Sequence, residues 1–194
     1  MSLLVLGLVI FLGIHSVSIF ARDWRERMVA RLGVGGWKIA YSILVAIGLY
    51  LIIKGYGAAR QDPMILYQPP IGLRHFVAVL MLPVFPMLLA TYLPGRINAT
   101  LKHPMLAAVK LWALAHLLAN GTLADVVLFG GFLVWAVVDR ISYKHREQRP
   151  LPTASPSKLN DVIAVVGGLA IYALFVLWAH VRLFGVVPIP MSSG

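Results

Sequence analysis

"LWALAHLLANGTLADVVLFGGFLVWAV", residues 111–137, holds two apolar runs on either side of "NGTLAD". Asn and Gly followed by Thr and Asp form a turn signal, so the stretch reads as two helices joined tightly into an antiparallel hairpin. Extended to 105–121 and 124–140, the runs approach the ~20 residues needed to cross a ~30 Å hydrocarbon core. One residue disturbs this reading. His116 sits in the first run, with Asn120 one turn later. A ring nitrogen buried in hydrocarbon without a partner costs about 2–7 kcal/mol, so something should meet it.

The rest of the chain belongs to the same class. Of its 194 residues 60% are hydrophobic and only 12% charged, and the mean hydropathy is +0.85. A soluble domain of this length has no interior large enough for so much apolar surface, so lipid must cover part of it. The formal net charge of +10 does not point to nucleic acid, because the cations cluster at the ends of hydrophobic runs, as membrane anchors do. Cysteine is absent, which excludes disulfides, thiolate nucleophiles, iron–sulfur clusters, covalently attached c-type haem and thiolate zinc sites. Metal chemistry would rest on histidine, carboxylate, methionine or tyrosine.

The expected fold is all-α, a polytopic membrane bundle of about six transmembrane helices. The spans run roughly over 3–21, 38–56, 73–92, 105–121, 124–140 and 161–183. The N-terminal run lacks the basic start and cleavage site of a signal peptide and reads as an uncleaved first helix. Pro83 and Pro86 should kink the third span, and Pro104 should open the fourth. Twelve cations fall on one side: Arg22, Arg25, Arg27, Arg31, Lys38, Arg96, Lys102, Arg140, Lys144, Arg146, Arg149 and Lys158. Lys54, Arg60, Arg74 and Arg182 fall on the other. The positive-inside rule then puts both termini outside the cytoplasm. Residues 145–161 form the one linker-like segment, and no separate soluble domain is apparent.

His15 and His116 are the intramembrane histidines that stand out. His15 shares a helix face with Gly7 and Phe11, and His116 with Trp112, Ala113 and Asn120. On nominal span boundaries their depths differ by roughly 10 Å, which permits a shared ligand without requiring one. Two readings stay open on spacing alone. In one, each ring hydrogen-bonds across the bundle, to Asn120 or to a backbone carbonyl. In the other, the two imidazoles are axial ligands of a b-type haem held between helices. His75 and His180 fall near the outer face, His103 at the start of the fourth span, and His145 in a basic loop.

Lys110 lies about six residues inside its span, where a charge costs roughly 2.5–3.5 kcal/mol on insertion scales. Snorkelling to the interface is one reading, and pairing with an anionic ligand such as a haem propionate is the other. Asp125 and Asp139 read as interfacial or capping groups. Gly130–Gly131 and Gly167–Gly168 read as sites of close helix packing.

Residues 101–140, "LKHPMLAAVKLWALAHLLANGTLADVVLFGGFLVWAVVDR", resemble the NnrU family through "HP…LWxLAHLLANG…FGG". "GIHSVSIFARDWRERM" (13–28) and "WAHVRLFGVVPI" (178–189) fit as well, so the resemblance covers essentially the whole chain as a single domain, 1–194. It implies a bacterial inner-membrane protein associated with nitrite and nitric oxide reduction. Relatives in plants and cyanobacteria are the 15-cis-ζ-carotene isomerases. These are understood to bind haem b through two histidines and to isomerise a central cis double bond once the iron is reduced and an axial ligand exchanges. The matching positions are His15 in "IHS" and His116 in "LAH". Those isomerases carry a cysteine one turn before the second histidine, where this chain has Ala113.

The resemblance therefore implies one haem b on His15 and His116, with Lys110, Trp112 and Asn120 around it. Lipid is the expected partner, with an apolar small molecule or a gas as ligand and an unidentified electron donor. A redox-gated polyene cis–trans isomerase is the enzymatic alternative, and a haem-free scaffold or transporter is another. Membrane methyltransferases share an "RHP" motif before a hydrophobic hairpin, but "SYKHREQRPLPTASPSKLND" leads into another apolar run and leaves no evident donor-nucleotide site.

Overall fold

A computed structural model describes residues 1–70, 72–146 and 151–189. Arg149, among the cations counted above, lies outside them. The described residues form helices α1 (Ser2–Phe20), α2 (Arg22–Ala59), α3 (Leu73–Met81), α4 (Val84–Ala90) and α5 (Arg96–Leu101). They continue as α6 (Pro104–Ala119), α7 (Leu123–Ser142) and α8 (Leu159–Leu174), which runs through a π-helical turn, Phe175–Ala179, into α9 (His180–Phe184). The fold is all-α. The one β-type pairing among these residues is an isolated bridge between Ile65 and Thr122.

Four stretches are long and apolar enough to cross a membrane: Ser2–Phe20, Arg22–Ala59, Leu73–Ala90 and Leu159–Phe184. Large apolar side chains stay outside the protein along them, Leu177 at 81% exposure, which fits a lipid-covered surface. The chain is thus a polytopic membrane protein. The two remaining expected spans differ in kind. α6 has 16 residues and reaches only ~24 Å at 1.5 Å per residue. α7 has 20 residues but carries Asp125, Asp139 and Arg140.

The chain divides into two compact units, Met1–Tyr67 with Gly121–Glu147, and Gln68–Asn120 with Gln148–Gly194. The division falls inside "NGTLAD", so α6 and α7, expected as one hairpin, belong to different units. The backbone explains what the turn does instead. Gly121 O accepts from Leu66 N and Tyr67 N, and Leu123 N donates to Met64 O. A Cβ at Gly121 would collide with the Tyr67 carbonyl, so glycine is required there.

In the first unit, α1 and α2 pack antiparallel along a seam of glycines. A Cβ on Gly7 would fall 2.6 Å from Ile52 N, one on Gly48 2.8 Å from Phe11 N, and one on Gly55 inside the Leu4 backbone. Backbones this close gain dispersion contact that larger side chains would prevent. α2 also begins sixteen residues before the expected span (38 − 22). The stretch 22–32 is helical rather than a loop, since its Arg, Glu, Met and Ala residues are good helix formers and Arg22 pairs with Glu26 at 3.3 Å. Gly33 then breaks the helix at φ 71°, a conformation that suits glycine. The break folds Trp24 back against Trp37, ring centroids 5.9 Å apart, with the Arg25 guanidinium 5.6 Å from the Trp37 ring.

In the second unit, Val84, Met87 and Ala108 form a core with Leu111 and Trp112 packed on it. The expected kink is present: the backbone stays αR through Leu82 and Pro83, but Leu82 N turns to Val79 O and α4 starts anew at Val84. The Tyr172 hydroxyl donates to the Ala78 carbonyl at 2.8 Å, beside that kink. Gly168 lets α8 close on Pro86, and Gly167 meets Leu89, so this pair packs as expected. The pair at 130–131 does not. Gly130 faces open space, and Gly131 meets only leucine methyls at ordinary contact distance.

Candidate functional site

His15 stands in the first unit, five residues before the end of α1. Its Nδ1 lies 2.6 Å from the Phe11 carbonyl one turn back. A carbonyl only accepts, so Nδ1 carries the hydrogen and donates, and the lone pair is left on Nε2. Three aromatic rings from three helices hold the imidazole. Phe11 of α1 stacks on it at 4.4 Å, while Tyr41 of α2 and Trp135 of α7 meet it edge-on at 5.6 and 5.8 Å. Phe132 closes on Phe11 at 5.6 Å. The wall is aromatic apart from the Tyr41 hydroxyl and the indole N–H of Trp135. That N–H is buried and has no hydrogen-bond partner among the described residues.

Asp139 lies one turn beyond Trp135 on α7. Its carboxylate accepts from Arg146 at 2.6 Å and from the Ser142 hydroxyl at 3.3 Å. Arg146 is held in turn over the Tyr143 ring at 4.0 Å. At the far end of α7, Asp125 and Thr122 form a capping box, and Asp125 also accepts the Tyr56 hydroxyl at 2.5 Å. Both aspartates are therefore held by helix-end bonds or an ion pair, as capping and interfacial residues should be.

His116 stands in the second unit, in the last turn of α6. Its Nδ1 donates to the Trp112 carbonyl at 2.8 Å, the same i−4 arrangement as His15. Trp112 tilts against the imidazole at 5.3 Å. Asn120 does not bond the ring. Its backbone N and its Nδ2 both donate to the His116 carbonyl, at 2.9 and 3.0 Å, closing the helix end. The Nδ1 bond of this histidine therefore runs to a backbone carbonyl of its own helix. Lys110 is half-buried on α6 and forms no ion pair among the described residues. Ala113 is fully buried.

Of the other histidines, His180 repeats the pattern, Nδ1 donating to Val186 O at 2.8 Å. His75 and His145 are exposed, and His103 occupies the N-cap position of α6 without a side-chain capping bond. No group of three or more His, Asp or Glu side chains able to hold a metal ion occurs among the described residues. A haem iron asks less of the protein, since the macrocycle supplies four donors and the chain only axial ligands. Two imidazoles with fixed Nδ1–H tautomers and Nε2 lone pairs fit that demand chemically.

Trp135 and Tyr41 escape a reading of the sequence by local spacing, because they reach His15 from other helices. One signal does point to them. Asp125, Phe132 and Asp139 recur every seven residues, and acidic residues in an apolar helix face inward, so they mark the stripe beside which Trp135 lies. No curated protein and no solved structure matches the chain. The family model of the NnrU protein matches residues 3–188. Matched over nearly its full length, the chain belongs to the NnrU family.

Proposed function

We propose that this chain is an integral-membrane haem b protein in which His15 and His116 supply the axial imidazoles. The observation that carries the reading is the shared Nδ1 bond: in each unit a histidine donates Nδ1–H to the carbonyl four residues back in its own helix, the second-shell arrangement that suits a metal-binding imidazole. Such second-shell bonds orient metal-bound imidazoles and raise their basicity. Trp112 acts through His116 by fixing its tautomer, Asn120 by holding the helix turn beneath it, and Lys110 offers a cation to an acidic edge of the cofactor. When bound, haem b would supply one-electron redox chemistry, and a gas would have to displace one of the two imidazoles to reach the iron. In the bilayer we place six spans, α6 and α7 included, in the bacterial inner membrane with both termini periplasmic. The role we propose is redox or gas-responsive, in nitrite and nitric oxide metabolism.

The isomerase alternative lacks the cysteine that those relatives carry. Its sulfur ligand would stand at Ala113, which is buried and inert. The test is an absorption spectrum of detergent-purified protein, oxidised and then reduced, beside His15→Ala and His116→Ala. A b-type spectrum that either substitution abolishes or turns high-spin is the expected result. Wild-type protein without a Soret band after haem addition would overturn the reading.

A further inference from the structure

We propose that the indole N–H of Trp135 is the hydrogen-bond donor for a propionate carboxylate of the group bound at His15. The proposal rests on the haem reading above and adds a recognition residue to it. A buried N–H without an acceptor forfeits about 1–3 kcal/mol, and buried indoles normally find a partner. Trp135 Nε1 has none among the described residues, and it lies on the ring that meets His15 edge-on. An orphan donor in that position calls for an acceptor brought by a ligand.

The chemistry of the ligand identifies the acceptor. In haem b the four pyrrole nitrogens are taken by iron, so the propionate oxygens are the acceptors that remain. Charge around Trp135 allows a carboxylate there. Asp139 is the nearby anion on α7, and Arg146 neutralises it at 2.6 Å. Arg22 is paired with Glu26, but Arg25, Arg27, Arg31 and Lys38 outnumber Asp23 in the stretch that follows the His15 end of α1 and add positive potential to the same unit. Phe11 and Phe132 carry no polar atom, so they neither compete for the N–H nor pair with the acid.

The experiment titrates the full chain in detergent, stripped of haem, with haem b and with haem b dimethyl ester, in wild type and Trp135→Phe. A second variant carries benzothienylalanine at 135, which keeps the shape of indole and lacks only the N–H. Wild type should prefer the free acid, and both variants should lose about tenfold of that preference, as expected for a charge-assisted hydrogen bond, while keeping the low-spin spectrum. Should Trp135→Phe fail to fold, the isostere gives the answer. An acid-to-ester ratio unchanged in the isostere would overturn this proposal and leave the haem reading standing. Wild type that binds neither compound would overturn both.

Discussion

His15 and His116 make the same bond in opposite surroundings. Each donates Nδ1–H to the carbonyl four residues back. His15 is then walled by rings from α1, α2 and α7, whereas His116 leans on Trp112 of its own helix and on a helix end closed by Asn120. Support for the first is tertiary and depends on how closely α1 and α2 approach. The bonds described for the second lie within α6 and its last turn. Equivalent imidazole bonds are thus held by different kinds of neighbour.

The largest effect should come from the glycine seam. Gly55→Leu drives a side chain into the Leu4 backbone, and we expect a loss of at least about 4 kcal/mol, enough to abolish folded protein in detergent. Gly57, two residues on, faces open space, and Gly57→Leu should change thermal stability by no more than about 0.5 kcal/mol. Equal damage at both positions would contradict the seam. Asp125→Ala comes next, at about 3 kcal/mol, because it removes the capping box of α7 and leaves the half-buried Tyr56 hydroxyl without its acceptor. Thermal unfolding measures it, and Tyr56→Phe in the same background should add little further loss. The smallest effect is expected on the local side. Asn120→Ala should cost about 1 kcal/mol and speed amide exchange in the last turn of α6 without changing exchange around His15. Loosening around His15 as well would show that the two supports are not separate.

The same contrast explains what the sequence discloses. Signals confined to one segment are legible: the apolar runs, the kink at Pro83, Pro104 opening α6, the two aspartates at helix ends, and Gly167–Gly168 under Pro86. The Trp112 and Asn120 bonds of His116 run four residues either way, so spacing lists them. What depends on a second segment is hidden. Gly7, Gly48 and Gly55 become a seam only once α1 lies on α2. Tyr41 and Trp135 join His15 only through that packing. Charge misleads at 22–32, where a dense run of arginines suggests a loop but helix propensity and a single glycine at 33 decide the path. At "NGTLAD" the turn residues are legible, but the bonds that Gly121 and Leu123 make with Met64–Tyr67 come from a distant segment and are hidden.

The most direct test of the account is electron paramagnetic resonance of the oxidised protein, with wild type, His15→Ala and His116→Ala measured side by side. The account predicts a low-spin ferric signal of bis-imidazole type in wild type and a high-spin signal, or none, in each variant. A low-spin signal that survives either substitution, or no haem iron in wild type, would contradict it.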